Sequence, residues 1–146
     1  MIGKKVILRY RMGAEDAHFS GDVVDGANIV KAWGDIAAEL SIRLFGDESL
    51  FLGYSEIRFT STVHVGDFME FSGYIEKVGG TSITCRFEAH KVIELAGGPA
   101  AGLAPSAANV LHQPVLCAYG KGTVVVKREN QRPEFADPDF REKAED

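Results

Sequence analysis

The spacing of apolar residues changes along this chain, and this change restricts its fold more than any other feature. Residues Asn28 to Leu44 carry an apolar stripe at helical spacing, which predicts one amphipathic helix ended by Gly46 and Asp47. The runs on either side alternate between apolar and polar residues, which predicts strands. One helix cannot cover both faces of a five-stranded sheet. The sequence therefore predicts an α+β fold, in which an antiparallel five-stranded sheet wraps around one long central helix.

The alternating runs divide the predicted sheet into five strands. The third and fourth runs meet at Gly79 and Gly80, a pair that favours a hairpin turn. We expect the four strands after the helix to follow one another as a meander. The predicted strands span residues 6–12, 50–62, 68–78, 81–93 and 115–127.

Two segments differ from this pattern. Residues 96–113 contain little charge and much Ala, Gly and Pro, which predicts a long surface loop. The last segment is polar and has six acidic residues against three basic ones, so we expect it to be loosely ordered unless a partner subunit holds it. We therefore predict a single domain over residues 1–129 and a polar acidic tail over residues 130–146.

Composition excludes several classes of protein. Apolar residues make up 45% of the 146 residues and charged residues 25%, as in soluble globular proteins. The formal net charge is −5 and no basic stripe is present, so we do not expect nucleic acid as a partner. No run reaches the roughly 18 apolar residues of a membrane span, so we do not expect a membrane partner either. Cys85 and Cys117 lie in apolar runs, which predicts buried free thiols and a reducing, cytoplasmic location.

The loop before the helix concentrates ionisable side chains. Asp16, His18, Asp22 and Asp25 lie close together in sequence. Carboxylates beside a histidine can transfer protons and hold an ammonium group. The same residue types also form plain turns, and an N-cap of the helix explains Asp25 equally well. Asp22 fits a solvated turn.

No metal site is predicted in this loop. The spacing of its acids is similar to the start of a calcium-binding loop, but Ala27 stands where that loop needs a bidentate Glu. The histidines of the chain also lack the spacing of zinc ligands.

Two acidic residues lie on the predicted helix outside its apolar stripe. Asp35 and Glu39 are one turn apart, and Glu39 is placed to pair with Arg43 one turn later. A solvated polar face is one interpretation of this pattern. The other is that a carboxylate on this helix points into a cleft between two copies of the chain.

A set of short motifs gives the chain a more specific resemblance. The motifs include Asp16-Ala17-His18-Phe19, Val24-Asp25-Gly26-Ala27, Trp33-Gly34-Asp35, Leu50-Phe51-Leu52-Gly53-Tyr54, Val65-Gly66-Asp67-Phe68-Met69-Glu70 and Gln131-Arg132. On these stretches, which extend over most of residues 4–132, the chain resembles the β-alanyl-CoA and 3-aminobutyryl-CoA ammonia lyases. These are small members of the hotdog-fold group, which also includes acyl-CoA thioesterases and dehydratases.

The resemblance implies the hotdog fold and a carbon–nitrogen lyase that reversibly eliminates ammonia from a 3-aminoacyl-CoA thioester in the fermentation of amino acids such as lysine or β-alanine. The product would be crotonyl-CoA from L-3-aminobutyryl-CoA, or acrylyl-CoA from β-alanyl-CoA. No cofactor would be needed, because CoA is part of the substrate. The implied assembly is a homodimer with active sites between subunits, grouped further into a hexamer. A hotdog acyl-CoA thioesterase and a non-catalytic acyl-CoA-binding protein are the alternatives.

Such an elimination needs a base for the Cα proton, donors for the enolate on the thioester oxygen, and an acid or carboxylate for the amine. N–H groups at a helix N-terminus can supply the donors, and Gly26 would let the thioester approach closely. The sequence does not decide which carboxylate is the base. The candidate catalytic residues are Asp16, His18, Asp25, Asp35 and Glu39. The candidate substrate-binding residues are Gly26, Ala27, Thr81, Ser82 and Arg132. A plain turn explains Gly26 equally well, and a simple hairpin end explains Thr81 and Ser82 equally well. We expect the aromatic residues Trp33 and Phe59 in the core.

Overall fold

One long helix packs against a five-stranded antiparallel sheet in the computed structural model of the protein, which describes residues 1–18 and 21–140. The helix, α1, spans Gly26–Phe45. This is the α+β architecture that the sequence predicts. The strands are β1 (Ile2–Arg11), β2 (Leu50–Phe59), β3 (Phe68–Val78), β4 (Ser82–Leu95) and β5 (Ala108–Val125).

The two ends of α1 have local causes. Asp25 is the N-cap, and its side chain accepts a hydrogen bond from the backbone N–H of Ala27 at 3.1 Å. Gly46 ends the helix in the left-handed conformation, at φ 65°, and its N–H donates to the carbonyl of Ile42 at 2.8 Å. The helix thus begins two residues before the predicted start and ends one residue after the predicted end.

The apolar stripe of α1 forms the centre of the core, as predicted. Trp33 is fully buried, stacks on Phe87 of β4 with ring centroids 5.5 Å apart, and donates its indole N–H to the carbonyl of Glu88 at 3.1 Å. The indole nitrogen therefore has the partner that a buried polar group needs. The other buried apolar residues of the stripe are Ile29, Ile36, Ala37, Leu40 and Leu44.

The strand order corrects one prediction. The sheet runs β1-β3-β4-β5-β2, so the strands from β3 to β5 form a meander but β2 pairs with β5 rather than with β3. The segment between β2 and β3 is not a tight turn. Val63 and His64 in this segment pair instead with Val23 and Val24, the residues that lead into α1. The hairpin predicted at Gly79 and Gly80 is present between β3 and β4.

The predicted loop over residues 96–113 is too long. β5 already begins at Ala108, which pairs with Leu95, so only residues 96–107 connect β4 and β5. The register shifts between Lys91 and Ile93, opposite a stretch of β5 that contains Pro114. A proline has no N–H to donate to the strand ladder, but it is tolerated at such an irregularity. This stretch of β5 can therefore be a strand although it contains a residue typical of loops.

The prediction of a loosely ordered tail is wrong for residues 130–140. The backbone N–H of Arg132 donates to the carbonyl of Phe45, and that of Asp137 donates to the carbonyl of Arg43, each at 2.7 Å. The tail thus supplies donors for the last carbonyls of α1, which have no partner within the helix. Phe140 is buried in the core against Gly3. Residues 141–146 lie outside the described residues.

The cysteines agree with the sequence prediction. Cys85 and Cys117 are both free and buried. Burial raises the pKa of the Cys85 thiol to about 12, because the charged thiolate would lose its hydration. Within the described part of the chain, α1 and the shorter helices are not long and apolar enough to cross a membrane.

Candidate functional site

A large cavity of about 740 Å³ opens at the N-terminus of α1. Its walls are the loop that enters the helix, the first turns of the helix, and the segment that follows β2. The two non-helical walls are joined by backbone hydrogen bonds, from Val24 to the carbonyl of Val63 at 2.8 Å and from Val65 to that of Asp22 at 2.7 Å. This pairing fixes the position of the helix entrance relative to the opposite wall.

Four of the predicted site residues line this cavity. They are His18, Asp25, Gly26 and Ala27. A helix N-terminus favours negative charge because its first N–H groups lack intrahelical acceptors and the helix dipole is positive there. The N–H of Ala27 is engaged by the side chain of Asp25, so this donor becomes available to a ligand only when Asp25 turns away.

His18 and Asp25 form a loose pair at the cavity. The Nδ1 atom of His18 lies 4.0 Å from Oδ2 of Asp25, and each side chain is 50% exposed. Asp25 therefore has two roles in the structure: Oδ1 caps the helix and Oδ2 faces the imidazole. The N-cap interpretation of Asp25 is confirmed, and the capping geometry still leaves one oxygen directed to His18.

Asp16 and Asp35 line a second, smaller cavity of about 290 Å³ together with Asn28. Arg11 and Lys31 lie on the same cavity, so it carries charges of both signs. On one protomer, Asp16 and Asp35 are therefore on a different cavity from Asp25.

Asp16 connects these two cavities through its backbone. Its carbonyl accepts the backbone N–H of Asp25 at 2.8 Å and the side-chain amide of Asn28 at 2.9 Å, while its carboxylate accepts the N–H of Gly13 at 2.9 Å. A shift of Asp16 would therefore move the N-cap as well. This coupling cannot be read from the sequence spacing, which shows only that the residues are near one another.

Glu39 lies outside both cavities. Its carboxylate accepts from Arg43 at 3.0 Å, and Arg43 also binds Asp137 of the tail at 2.6 Å. The side chains of Glu39 and Arg43 are each more than 40% exposed, so the pair contributes at most about 1 kcal/mol to stability. In one protomer Glu39 thus has the surface pairing that was one of the two interpretations.

Three predicted substrate-binding residues lie at the other end of α1. The backbone N–H of Arg132 donates to the carbonyl of Phe45, the last residue of the helix. The preceding residue, Gln131, donates its side-chain amide to the carbonyls of Gly80 and Val126. Val126 in turn donates its N–H to the carbonyl of Thr81, and Ser82 follows as the first residue of β4. The helix has 20 residues and is therefore about 30 Å long. Within one protomer, Thr81, Ser82 and Arg132 do not join the cavity at Gly26.

Phe59 corrects a sequence prediction. Trp33 is a core residue as predicted, but Phe59 is 56% exposed and lines the large cavity, where its ring lies against Gly26. Phe59 is the last residue of β2, and the polar residues Thr60, Ser61 and Thr62 follow it along the cavity wall. In the sequence, Phe59 directly precedes the polar run Thr60-Ser61-Thr62, which is a signal for the end of a buried segment.

A buried ion pair behind the cavity wall was also missed. The Nζ atom of Lys91 lies 3.1 Å from Oδ2 of Asp67 and donates to the carbonyl of Thr62 at 3.1 Å. Asp67 also accepts the backbone N–H of His64 at 2.8 Å. Both charged residues are buried, and burial of such groups requires pairing. Together they hold residues 62–67, the segment to which the helix entrance is hydrogen-bonded.

No group of three or more His, Cys, Asp or Glu side chains is arranged to hold a metal ion within residues 1–18 and 21–140. The groups at the large cavity that can take part in chemistry are the helix N-terminus, the imidazole of His18 and the carboxylate of Asp25. A helix N-terminus can stabilise a developing oxyanion, and the other two groups can accept or donate protons.

Comparison with known proteins places the chain among CoA-ester enzymes. It is 41% identical over 128 residues to the 3-aminobutyryl-CoA ammonia lyase of Acetoanaerobium sticklandii, which covers 88% of this chain and 98% of that protein. The solved structure of β-alanyl-CoA:ammonia lyase from Clostridium propionicum superposes with a TM-score of 0.90 and 44% identity over 98% of both chains. No family model matches the chain.

A more distant comparison concerns the fold alone. A hexameric hotdog-fold thioesterase of Campylobacter jejuni matches with a TM-score of 0.67 at 17% identity, over 86% of this chain and 85% of that one. The antiparallel sheet around one helix is thus the hotdog fold that the sequence motifs imply. The chain has this fold and is 41% identical to a relative over 98% of that relative's length. It therefore belongs to the family of CoA-ester ammonia lyases.

Proposed function

We propose that this protein is a 3-aminoacyl-CoA ammonia lyase. It reversibly eliminates ammonia from L-3-aminobutyryl-CoA to give crotonyl-CoA, or from β-alanyl-CoA to give acrylyl-CoA. The observation that carries this proposal is the cavity that joins the N-terminus of α1 to the His18–Asp25 pair. The family assignment supports the same substrate class.

The proposed reaction uses the helix N-terminus to bind the thioester. The carbonyl oxygen accepts N–H groups near Gly26, where the negative charge of an enolate is stabilised. The substrate amine is bound as an ammonium group. A base removes the Cα proton, the C–N bond breaks, and its electron pair leaves with the ammonia. The departing ammonia takes the proton from the protonated base, so the products are the enoyl-CoA and ammonium. In the reverse direction, the enoyl-CoA accepts ammonia at C3 and a proton at Cα.

The proton-transfer groups come from the residues around the helix entrance. His18 and Asp25 border the cavity directly, and Asp16 is hydrogen-bonded to the N-cap backbone. We assign Asp16 and His18 to proton transfer and to binding of the ammonium group, with Asp25 as their neighbour. This assignment rests on proximity to the helix N-terminus.

We propose a homodimer as the functional unit, grouped into a hexamer. Asp35 lies on a different cavity from Gly26, and Arg132 lies at the opposite end of α1. A second copy of the chain can bring such residues to a shared cleft, so the complete site is expected between subunits. The hexameric thioesterase with the same fold supports this order of assembly. We further propose a cytoplasmic enzyme of amino-acid fermentation that uses no cofactor.

The test is the reverse reaction. Crotonyl-CoA or acrylyl-CoA is mixed with ammonium, and we expect the enoyl absorbance to decrease in the presence of the protein. A thiol-trapping reagent in a parallel sample detects thioester hydrolysis, the reaction of a thioesterase. Release of free thiol without amine addition favours that alternative, and no depletion of either enoyl-CoA contradicts the proposal.

Asp16→Asn tests the assignment of this carboxylate. The backbone carbonyl of Asp16 still binds Asp25 and Asn28 in the variant, so we expect assembly to persist while turnover is lost. Asp47→Asn is the matched control, because Asp47 also binds a backbone N–H, that of Ser49 at 2.8 Å, and lies beyond the other end of α1. Full activity of Asp16→Asn would remove Asp16 from the mechanism.

A further inference from the structure

The position of Phe59 is not explained by core packing. The side chain is 56% exposed, although a phenyl ring gains stability when it is removed from water. Its ring lies directly over the first residue of α1. A Cβ atom on Gly26 would be 2.8 Å from Cζ and 2.9 Å from Cε1 of Phe59. The ring of Phe59 can therefore occupy this position only because Gly26 has no side chain.

The surroundings of the ring are apolar on the side of the cavity. Ile29 and Val30 from α1 and Ile57 from β2 line the same space. The ionisable groups of the cavity, His18 and Asp25, lie at the helix entrance. The hydroxyl side chains of residues 60–62 continue the wall beyond Phe59. The cavity therefore combines an apolar part with the helix N-terminus, and Phe59 lies where the two meet.

We infer that Phe59 determines which acyl chain the site accepts. This inference rests on the proposed function, in which the thioester carbonyl binds at the N-terminus of α1. The C3 atom of the substrate is only two bonds from that carbonyl carbon. A substituent on C3 therefore lies within reach of a ring that contacts Gly26. The ring limits the space for the C3 methyl group that distinguishes 3-aminobutyryl-CoA from β-alanyl-CoA.

The expected change in specificity follows from the single methyl group by which the two substrates differ. One methyl group in an apolar pocket changes the specificity constant by about 10- to 200-fold. Phe59→Leu removes the outer part of the ring while keeping an apolar side chain. We expect it to raise the ratio of kcat/KM for crotonyl-CoA to that for acrylyl-CoA by about tenfold or more.

The experiment measures both specificity constants in ammonium buffer for the wild type and Phe59→Leu. Phe68→Leu is the matched control, because Phe68 is also partly exposed at 37% but packs against Arg11 rather than in the large cavity. We expect its ratio to equal that of the wild type. A ratio within twofold of the wild type in Phe59→Leu would overturn the role of Phe59. A wild type inactive with both acceptors would instead overturn the proposed function.

A second variant approaches the ring from the helix. Gly26→Ala places a methyl group so close to the ring of Phe59 that the ring must move, while the sequence of β2 is unchanged. We expect Gly26→Ala by itself to change the ratio of kcat/KM for crotonyl-CoA to that for acrylyl-CoA. Combined with Phe59→Leu, it should change this ratio much less, because the obstructing ring is then gone. Independent effects of the two substitutions on the ratio would contradict the inference, even if Phe59→Leu alone were poorly folded.

Discussion

The buried pair of Lys91 and Asp67 is the strongest stability test that the structure offers. Lys91→Met keeps an unbranched side chain of similar length but removes the ammonium group. Asp67 then keeps its hydrogen bond from the N–H of His64 and loses its only buried counter-charge among the described residues. The carbonyl of Thr62 also loses a donor. The substitution leaves a buried carboxylate without charge compensation.

The expected cost is large because both partners are almost inaccessible to water, with 7% of Lys91 and 3% of Asp67 exposed. Removal of one partner of a buried ion pair costs about 3–5 kcal/mol of the free energy of unfolding. In a chain of this size each kcal/mol lowers Tm by about 2–4 °C, so we expect a decrease of roughly 6–20 °C. Lys91→Met combined with Asp67→Asn should recover part of this loss, because no charge remains buried.

The assay is urea unfolding and thermal melting at one fixed protein concentration, since assembly also contributes to apparent stability. Arg9→Met is the matched control. Arg9 binds Glu70 at 2.6 Å, but its side chain is 71% exposed, so this variant should lose no more than about 1 kcal/mol. If Lys91→Met lost no more stability than Arg9→Met, the reasoning that burial makes this pair indispensable would be refuted.

Three further predictions concern the helix cap and a buried thiol. Asp25→Ala should lower the free energy of unfolding by about 1 kcal/mol, whereas Asp25→Asn should keep the cap. If the two variants were equally stable in urea unfolding, the capping role would be contradicted. Burial raises the pKa of Cys85 to about 12, so alkylation at pH 8 should require unfolding, and rapid labelling of the native protein would contradict this. Because the unfolded thiol ionises near pH 9 and the folded one does not, stability should fall as the pH rises from 9 to 12, and less steeply in Cys85→Ala.

The parts of the fold that sequence could predict are those governed by local periodicity. The stripe from Ile29 to Leu44 defined the core face of α1, and the prediction for β3 agrees with the observed Phe68–Val78. The turn at Gly79 and Gly80 also has a local signal. The pairing of β2 with β5 has none, because it joins strands separated by two others in the chain. The burial of Phe140 likewise depends on contacts with distant residues such as Gly3.

The same distinction between local and distant contacts applies to the residues of the candidate site. The cap at Asp25 and the nearby His18 follow from adjacency to the helix start, which the sequence shows. The contact of Phe59 with Gly26 and the pairing of Lys91 with Asp67 join elements far apart in sequence. The separation of Asp35 from Gly26 into different cavities also depends on the folded backbone.

The sequence by itself determined the α+β class, the single central helix, the acid-rich helix entrance and the family. These properties depend on residue spacing and on short motifs, which are local. Only the tertiary structure decided the strand order, the exposure of Phe59, the docking of residues 130–140 and the ion pair behind the cavity wall. The physical reason is that burial and charge pairing depend on which distant segments of the chain are in contact. Many different sets of such contacts are compatible with the same local pattern of residues.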